Sequence, residues 1–188
     1  MTILSDTALD IASTVSLVLS GSLESTERLF QYEEYRYARE DVVRKLRGRF
    51  PGVRTPSGAY RTALIFDDFV VKFSKDTHRQ ECITQEAEFI TAMRADKKYA
   101  RHFPETHVVQ VGVAPVLIQQ KVNMTHKGIT WAMRSEVERL AEYLGISDMH
   151  EENYGWAGPA DKLYPVFVDV DLRFGNSGRW KNRRSWFV

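Results

Sequence analysis

Cysteine is almost absent. The chain of 188 residues has one, Cys82. An intramolecular disulfide is excluded, and so is zinc held by a cysteine pair. Cys82 reads as a small residue on a helix, because its neighbours Glu81 and Gln85 offer a thiolate no stabilising cation. Reducing conditions suit such a chain, so the cytoplasm is the expected compartment. An excess of one charge is lacking too. Lys+Arg of 26 against Asp+Glu of 25 leaves a net +1, where a protein dedicated to nucleic acid or to a membrane surface carries a large basic excess. Long apolar runs are also missing. Residues 11–19 are too few to cross a bilayer and include Ser13, Thr14 and Ser16. Asp6 and Asp10 precede them, where a secretory signal would be basic. No membrane association is expected. There is no phosphate loop of the G-x-x-x-x-G-K-[ST] type, no G-x-S-x-G elbow and no H-E-x-x-H helix. The histidines (His78, His102, His107, His126 and His150) are too scattered to claim a metal site.

What is present suits an ordinary globular protein: 43% hydrophobic and 27% charged residues. The length is that of one domain, or of one domain with an extension. The near-zero net charge hides an acidic head and a basic tail. Residues 1–29 carry Asp6, Asp10, Glu24 and Glu27 against Arg28, while residues 172–188 carry Arg173, Arg179, Lys181, Arg183 and Arg184 with no acid. The plain reading is solvated surface at both ends. The tail is the one feature suited to a phosphate, a nucleic acid or an acidic partner.

The periodicity predicts helices over residues 5–20, capped by Ser5, and over 31–46. A break rich in Gly and Pro follows, from Gly48 to Gly58. Strands over 62–65 and 69–73 flank a turn at Asp67-Asp68. A helix is expected over 77–94, then strands over 107–111 and 115–122 joined at Gly112. Ser135 and Glu138 form a capping-box pattern that would open a helix over 135–144. A hairpin over 153–156 and 164–170 would turn at Gly158-Pro159. Strand pairs separated by helices predict an α+β fold rather than an alternating parallel sheet.

Chemistry concentrates in four places. Asp148 and Asn153 stand five apart in Asp148-Met149-His150-Glu151-Glu152-Asn153, a spacing that lets an Asp meet a substrate hydroxyl while an Asn turns back toward phosphates. Sixteen residues on, an apolar strand ends in Asp169 and Asp171, oxygen ligands of the kind hard cations require. Lys72 lies inside the apolar run Phe69-Val70-Val71-Lys72-Phe73, where an amine must snorkel or find a partner. Glu86, flanked at helical spacing by Ile83 and Ile90, is the preferred acid for it over Glu81 and Glu88.

In this order the four elements, over about residues 55–175, resemble the protein-kinase-like superfamily. The D-x-H-x-x-N form of the loop resembles phage-encoded serine/threonine kinases and aminoglycoside phosphotransferases more than eukaryotic protein kinases. The resemblance implies a two-lobed fold with a small antiparallel sheet and a reduced helical lobe, since seventeen residues follow Asp171. It implies an N-terminal helical segment (1–46) packed on the core, an N-lobe with hinge (47–123) and a reduced C-lobe with the catalytic loop (124–188). It further implies ATP and Mg²⁺ as cofactors and a protein hydroxyl as substrate, autophosphorylation included. Asp148 would be the base, Lys72 would hold phosphates and Glu86 would orient Lys72. Asn153 and Asp169 would bind Mg²⁺, and Gln119, Gln120 and Val122 would form the adenine hinge. Gly58 would sit in the phosphate-covering loop, where Ser57-Gly58-Ala59-Tyr60 has one glycine in place of several. The missing glycines suit a second reading, a pseudokinase-like protein that captures and inhibits a partner.

Overall fold

The computed structural model describes residues 5–24, 28–56, 58, 60–125, 129–147 and 149–170. The protein is α+β, with four α-helices and a small antiparallel sheet among the described residues. It divides into two compact units, Met1–Glu88 with Glu105–Lys121, and Phe89–Pro104 with Val122–Val188. No described helix is long and apolar enough to cross a membrane.

The first unit is built on a four-stranded sheet. Strands β1 (Arg61–Ile65), β2 (Phe69–Ser74), β3 (Thr106–Gln110) and β4 (Pro115–Gln120) lie in the order β1-β2-β4-β3, each antiparallel to its neighbour. The expected turn at Asp67-Asp68 joins β1 to β2, closed by the Phe66 amide donating to the Phe69 carbonyl at 2.9 Å. Side chains alternate across a strand, and the register sorts them cleanly. Leu64, Val71, Phe73, Val116 and Ile118 share one face. There they join the apolar side of helix α1 (Asp6–Leu23) and Tyr35, Val42 and Leu46 of helix α2 (Arg28–Arg49) in one core. Burial on both faces explains why β2 and β4 read as nearly continuous apolar runs. The Tyr35 hydroxyl donates to the Ser74 carbonyl at 2.9 Å, and burial pushes its pKa up to about 12, so it stays a donor.

Helix α1 starts as expected, with Ser5 Oγ accepting from the Ala8 amide at 3.2 Å. Its apolar residues do not form a clean stripe, and the reason is specific. Two positions on its buried face are serines, and both grip the β3–β4 turn. Ser16 Oγ donates to the Ala114 carbonyl (2.6 Å) and accepts from the Val111 amide (2.8 Å). Ser20 Oγ donates to the Val111 carbonyl (3.2 Å) and accepts from the Ala114 amide (2.9 Å). Gly112 between them has φ +98°, and a Cβ there would lie 2.7 Å from the Ser20 side chain. Only glycine meets both conditions.

Helix α3 (Glu81–Ala95) starts four residues later than the pattern suggests. Ser74 and Asp76 side chains bond the local backbone instead, holding residues 74–78 in turns. The division between units falls inside this helix, after Glu88.

In the second unit, helix α4 (Trp131–Leu144) packs Val137, Ala141 and Leu144 with Phe89, Ile90, Phe103, Trp156 and Phe167. The Ser135 cap is not formed. Thr130 caps the helix, its Oγ accepting from the Met133 amide at 3.3 Å, and Ser135 lies a turn inside. Nothing in residues 131–134 breaks a helix, so the earlier cap prevails. Gly145 ends it in the left-handed conformation, φ 79°. Strands β5 (Tyr154–Ala157) and β6 (Tyr164–Phe167) form the expected hairpin, with Gly158 at φ +105°, but β6 stops three residues short of the expected end because the amides of Val168 and Asp169 turn to the Asn153 carbonyl.

Candidate functional site

In the first unit the second face of the sheet carries the candidate residues Lys72 and Gln119. Lys72 sits mid-strand on β2, opposite Ala63 of β1 and Leu117 of β4. Helix α3 lies over this face, packing Ile83 and Ala87 against Leu117 and Val108. The same helical turn brings Glu86 inward. Its Oε1 pairs with Lys72 Nζ at 2.8 Å. Of the three acids weighed for this partnership, Glu81 and Glu88 are exposed and Glu86 is buried. One residue in this cluster was not expected: Arg61, the first residue of β1, donates through Nη1 to Glu86 Oε2 at 2.8 Å. One carboxylate therefore bridges two cations, one on each oxygen. The signal for Arg61 was strand parity: Arg61 precedes Ala63 by two, so it shares the face of Lys72. That is invisible until the β1–β2 register is known.

Gly58 stands just before β1. Its amide donates to the Arg61 carbonyl at 3.1 Å, and its carbonyl accepts from Lys75 Nζ at 3.1 Å. Ser57 and Ala59 lie outside the described residues. At the end of β4, Gln119 is buried and its Nε2 has no hydrogen-bond partner among the described residues. Thr106, directly across in the register, has its Oγ1 in the same condition. Gln120 is exposed, its amide donating to the Glu105 carbonyl at 2.8 Å. Val122, half-buried, belongs to the second unit.

In the second unit, backbone bonds tie two of the expected residues together. The Asn153 amide donates to the His150 carbonyl at 2.9 Å, closing a turn. The Asn153 carbonyl accepts from the amides of Val168 (2.8 Å) and Asp169 (3.2 Å). The loop that carries Asn153 is thus fastened to the bend just after β6 that carries Asp169. Both side chains are half-buried. Asp148 and Asp171 lie outside the described residues. No group of three His, Cys, Asp or Glu side chains is clustered for a metal among the described residues.

No protein-family model, curated protein or solved structure matches this chain. The chemistry must therefore be read from the residues. An Asn amide oxygen and an Asp carboxylate are both hard donors. Two of them, completed by phosphate oxygens and water, make a donor set suited to Mg²⁺, which seldom takes an all-protein cage. A buried lysine paired with a buried carboxylate presents a fixed cation, suited to an anionic group. A separate cavity of about 360 Å³ lies by α2 and β1, lined by Arg39, Val43, Arg44, Arg47 and Thr62 among others. Thr62 points to the other face of the sheet from Lys72, so this cavity is not where the candidate residues gather. Its guanidiniums are already bonded to the Lys75 carbonyl, Asp41 and Thr55.

Proposed function

We propose that the protein is an ATP- and Mg²⁺-dependent phosphotransferase of the protein-kinase-like type, with a two-lobed fold, that phosphorylates serine or threonine hydroxyls of a protein, itself included. The observation that carries the reading is the buried Lys72–Glu86 pair at 2.8 Å, formed between a strand lysine and a helix glutamate fourteen residues apart. Burying an ion pair gains little stability, and an apolar pair of equal volume would often do as well. Its presence on an otherwise apolar strand supports a role in binding. The Asn153 turn tied to the Asp169 amide supports the same reading, because it holds two oxygen donors of the expected kind on adjoining backbone.

In this mechanism Lys72 neutralises charge on the nucleotide phosphates, and Glu86 fixes the position of its ammonium. Asn153 and Asp169 would supply oxygen ligands to Mg²⁺. The metal, when bound, neutralises charge developing on the phosphates. Asp148 takes the proton of the substrate hydroxyl as its oxygen attacks the γ-phosphorus, and ADP leaves. Positioning and charge neutralisation provide the rate, as expected where the protein forms no covalent intermediate.

A second reading, a kinase-like binding protein that captures and inhibits a partner, is favoured by the single glycine of the loop before β1. Transfer of radiolabel from ATP separates the two. Wild-type protein should label itself or a protein in a cell lysate, and Asp148→Ala and Asp169→Ala should each abolish the signal. No transfer by the wild type with either Mg²⁺ or Mn²⁺ would sink the enzymatic reading. Under either, millimolar ATP with Mg²⁺ should raise the melting temperature, since a ligand that binds only the native state stabilises it.

A further inference from the structure

We infer that Arg61 and Lys72, coupled through Glu86, form a two-cation cradle for the polyphosphate of the nucleotide, with Arg61 as a phosphate-binding residue in its own right. The inference rests on the nucleotide-binding reading above and adds to it a residue and a ligand chemistry.

Three observations carry it. The first is shared orientation. Arg61 pairs with Ser74 and Ala63 pairs with Lys72, so Arg61 and Lys72 are diagonal neighbours on one face of the β1–β2 ladder. The second is graded exposure. The Glu86 side chain is 0% exposed, whereas Lys72 keeps 6% and Arg61 10%. All three residues are buried, and the small remaining exposure of the cluster lies on the two cations. The third is the neighbouring loop. Gly58 donates its amide to the Arg61 carbonyl, so that N–H is committed to the turn. A loop with one glycine approaches a phosphate less closely than a glycine-rich one. A guanidinium at the loop's exit is suited to replace those missing donors, because its planar fork of N–H groups matches phosphate oxygens.

Glu86 has a distinct part here. With one oxygen on each cation, it sets the spacing between them. The pair then addresses two phosphoryl groups rather than one, and the ligand class is a nucleoside di- or triphosphate, or inorganic tripolyphosphate, in preference to a nucleoside.

The test is calorimetric titration of wild type, Arg61→Lys, Arg61→Gln and Arg61→Met with ATP, tripolyphosphate and adenosine, with circular dichroism to verify folding. Losing one charge-assisted contact should weaken ATP and tripolyphosphate by about 10- to 100-fold in Arg61→Met. Adenosine should be unchanged, and Arg61→Lys should keep most of the affinity. Arg61→Gln retains a donor for Glu86 without the charge. It should behave like Arg61→Met, and it decides the matter if Arg61→Met does not fold. Equal weakening of all three ligands, or none, would overturn the inference. Wild type that binds tripolyphosphate but not ATP leaves the cradle standing and removes the nucleotide reading. Wild type that binds ATP while every Arg61 variant binds it equally does the reverse.

Discussion

The two faces of the four-stranded sheet are made by alternate residues of the same strands, yet they obey different rules. One face presents Leu64, Val71, Phe73, Val116 and Ile118 to α1 and α2. It is closed by non-directional apolar burial, which tolerates similar shapes but not lost volume. The other face presents Arg61 and Lys72 to Glu86, with a small apolar cluster of Ile83, Ala87, Leu117 and Val108 among the described residues. That face depends on direction and charge, and its net contribution to stability is small. The apolar core and the charged cluster are thus separated by the thickness of one sheet. A sheet well anchored on one side can hold costly groups on the other.

This contrast can be broken from either side. The largest effect is expected on the apolar face. Phe73→Ala should cost about 3–5 kcal/mol in denaturant unfolding, through lost transfer energy and the cavity left behind. A loss near zero would mean that the apolar face is not the stabilising one. On the charged face, the triple change Arg61→Met, Lys72→Met and Glu86→Leu should be neutral or stabilising by about 1–4 kcal/mol. The same protein should lose ATP binding in calorimetry. Marked destabilisation would show that the ion cluster is structural. Smaller again is the clasp between α1 and the β3–β4 turn. Ser20→Ala leaves the Ala114 amide without its partner and should cost about 1–3 kcal/mol by the same unfolding measurement, with ATP binding unaffected.

The smallest effect lies in the second unit, which serves as a control for both faces. His102 is buried with Nδ1 2.7 Å from the Pro165 carbonyl, so Nδ1 carries the proton. Burial holds its pKa below 6.5. The Pro165 carbonyl opposes that shift, Arg101 adds to it, and Glu136 opposes it. The unfolded chain therefore binds this proton more readily than the folded one. The stability it contributes is complete above pH 6.5 and is lost as pH falls through 6.5 toward the lower folded value. The melting temperature should decline over that window. His102→Asn, whose amide can replace the Nδ1 donor, should flatten the decline, and an unchanged profile would assign it to other groups.

Much of this arrangement was legible in the residue order. Period-two alternation and the Asp67-Asp68 turn marked the first hairpin, and the three-residue step from Ile83 to Glu86 marked which acid faces inward. The parts that were hidden are hidden for physical reasons. Arg61 joins Glu86 only through the register of two strands, which local pattern does not encode. The α1 stripe was obscured because buried Ser16 and Ser20 look like surface residues until the carbonyls and amides they satisfy are seen. The start of α4 was obscured by a second, equally plausible cap at Ser135. That residues 89–104 group with a segment starting at Val122 is a matter of long-range packing, for which sequence offers no spacing rule.

The serine clasp also constrains the order in which the chain can fold. Ser16 bonds Ala114, a separation of 98 residues. At a synthesis rate of about 5–20 residues per second, α1 leaves the ribosome roughly 5–20 s before the turn it grips. For the first part of that interval Ile11, Val15 and Leu19 have no sheet to cover them, and until β3 and β4 follow they have only the β1–β2 hairpin. Helix α1 can pack against α2 at once, but its hydroxyls acquire their partners only after the whole of residues 89–104 has been made. The first unit is therefore a late-closing structure, completed from its two ends, and the second unit's early segment must be accommodated before that closure.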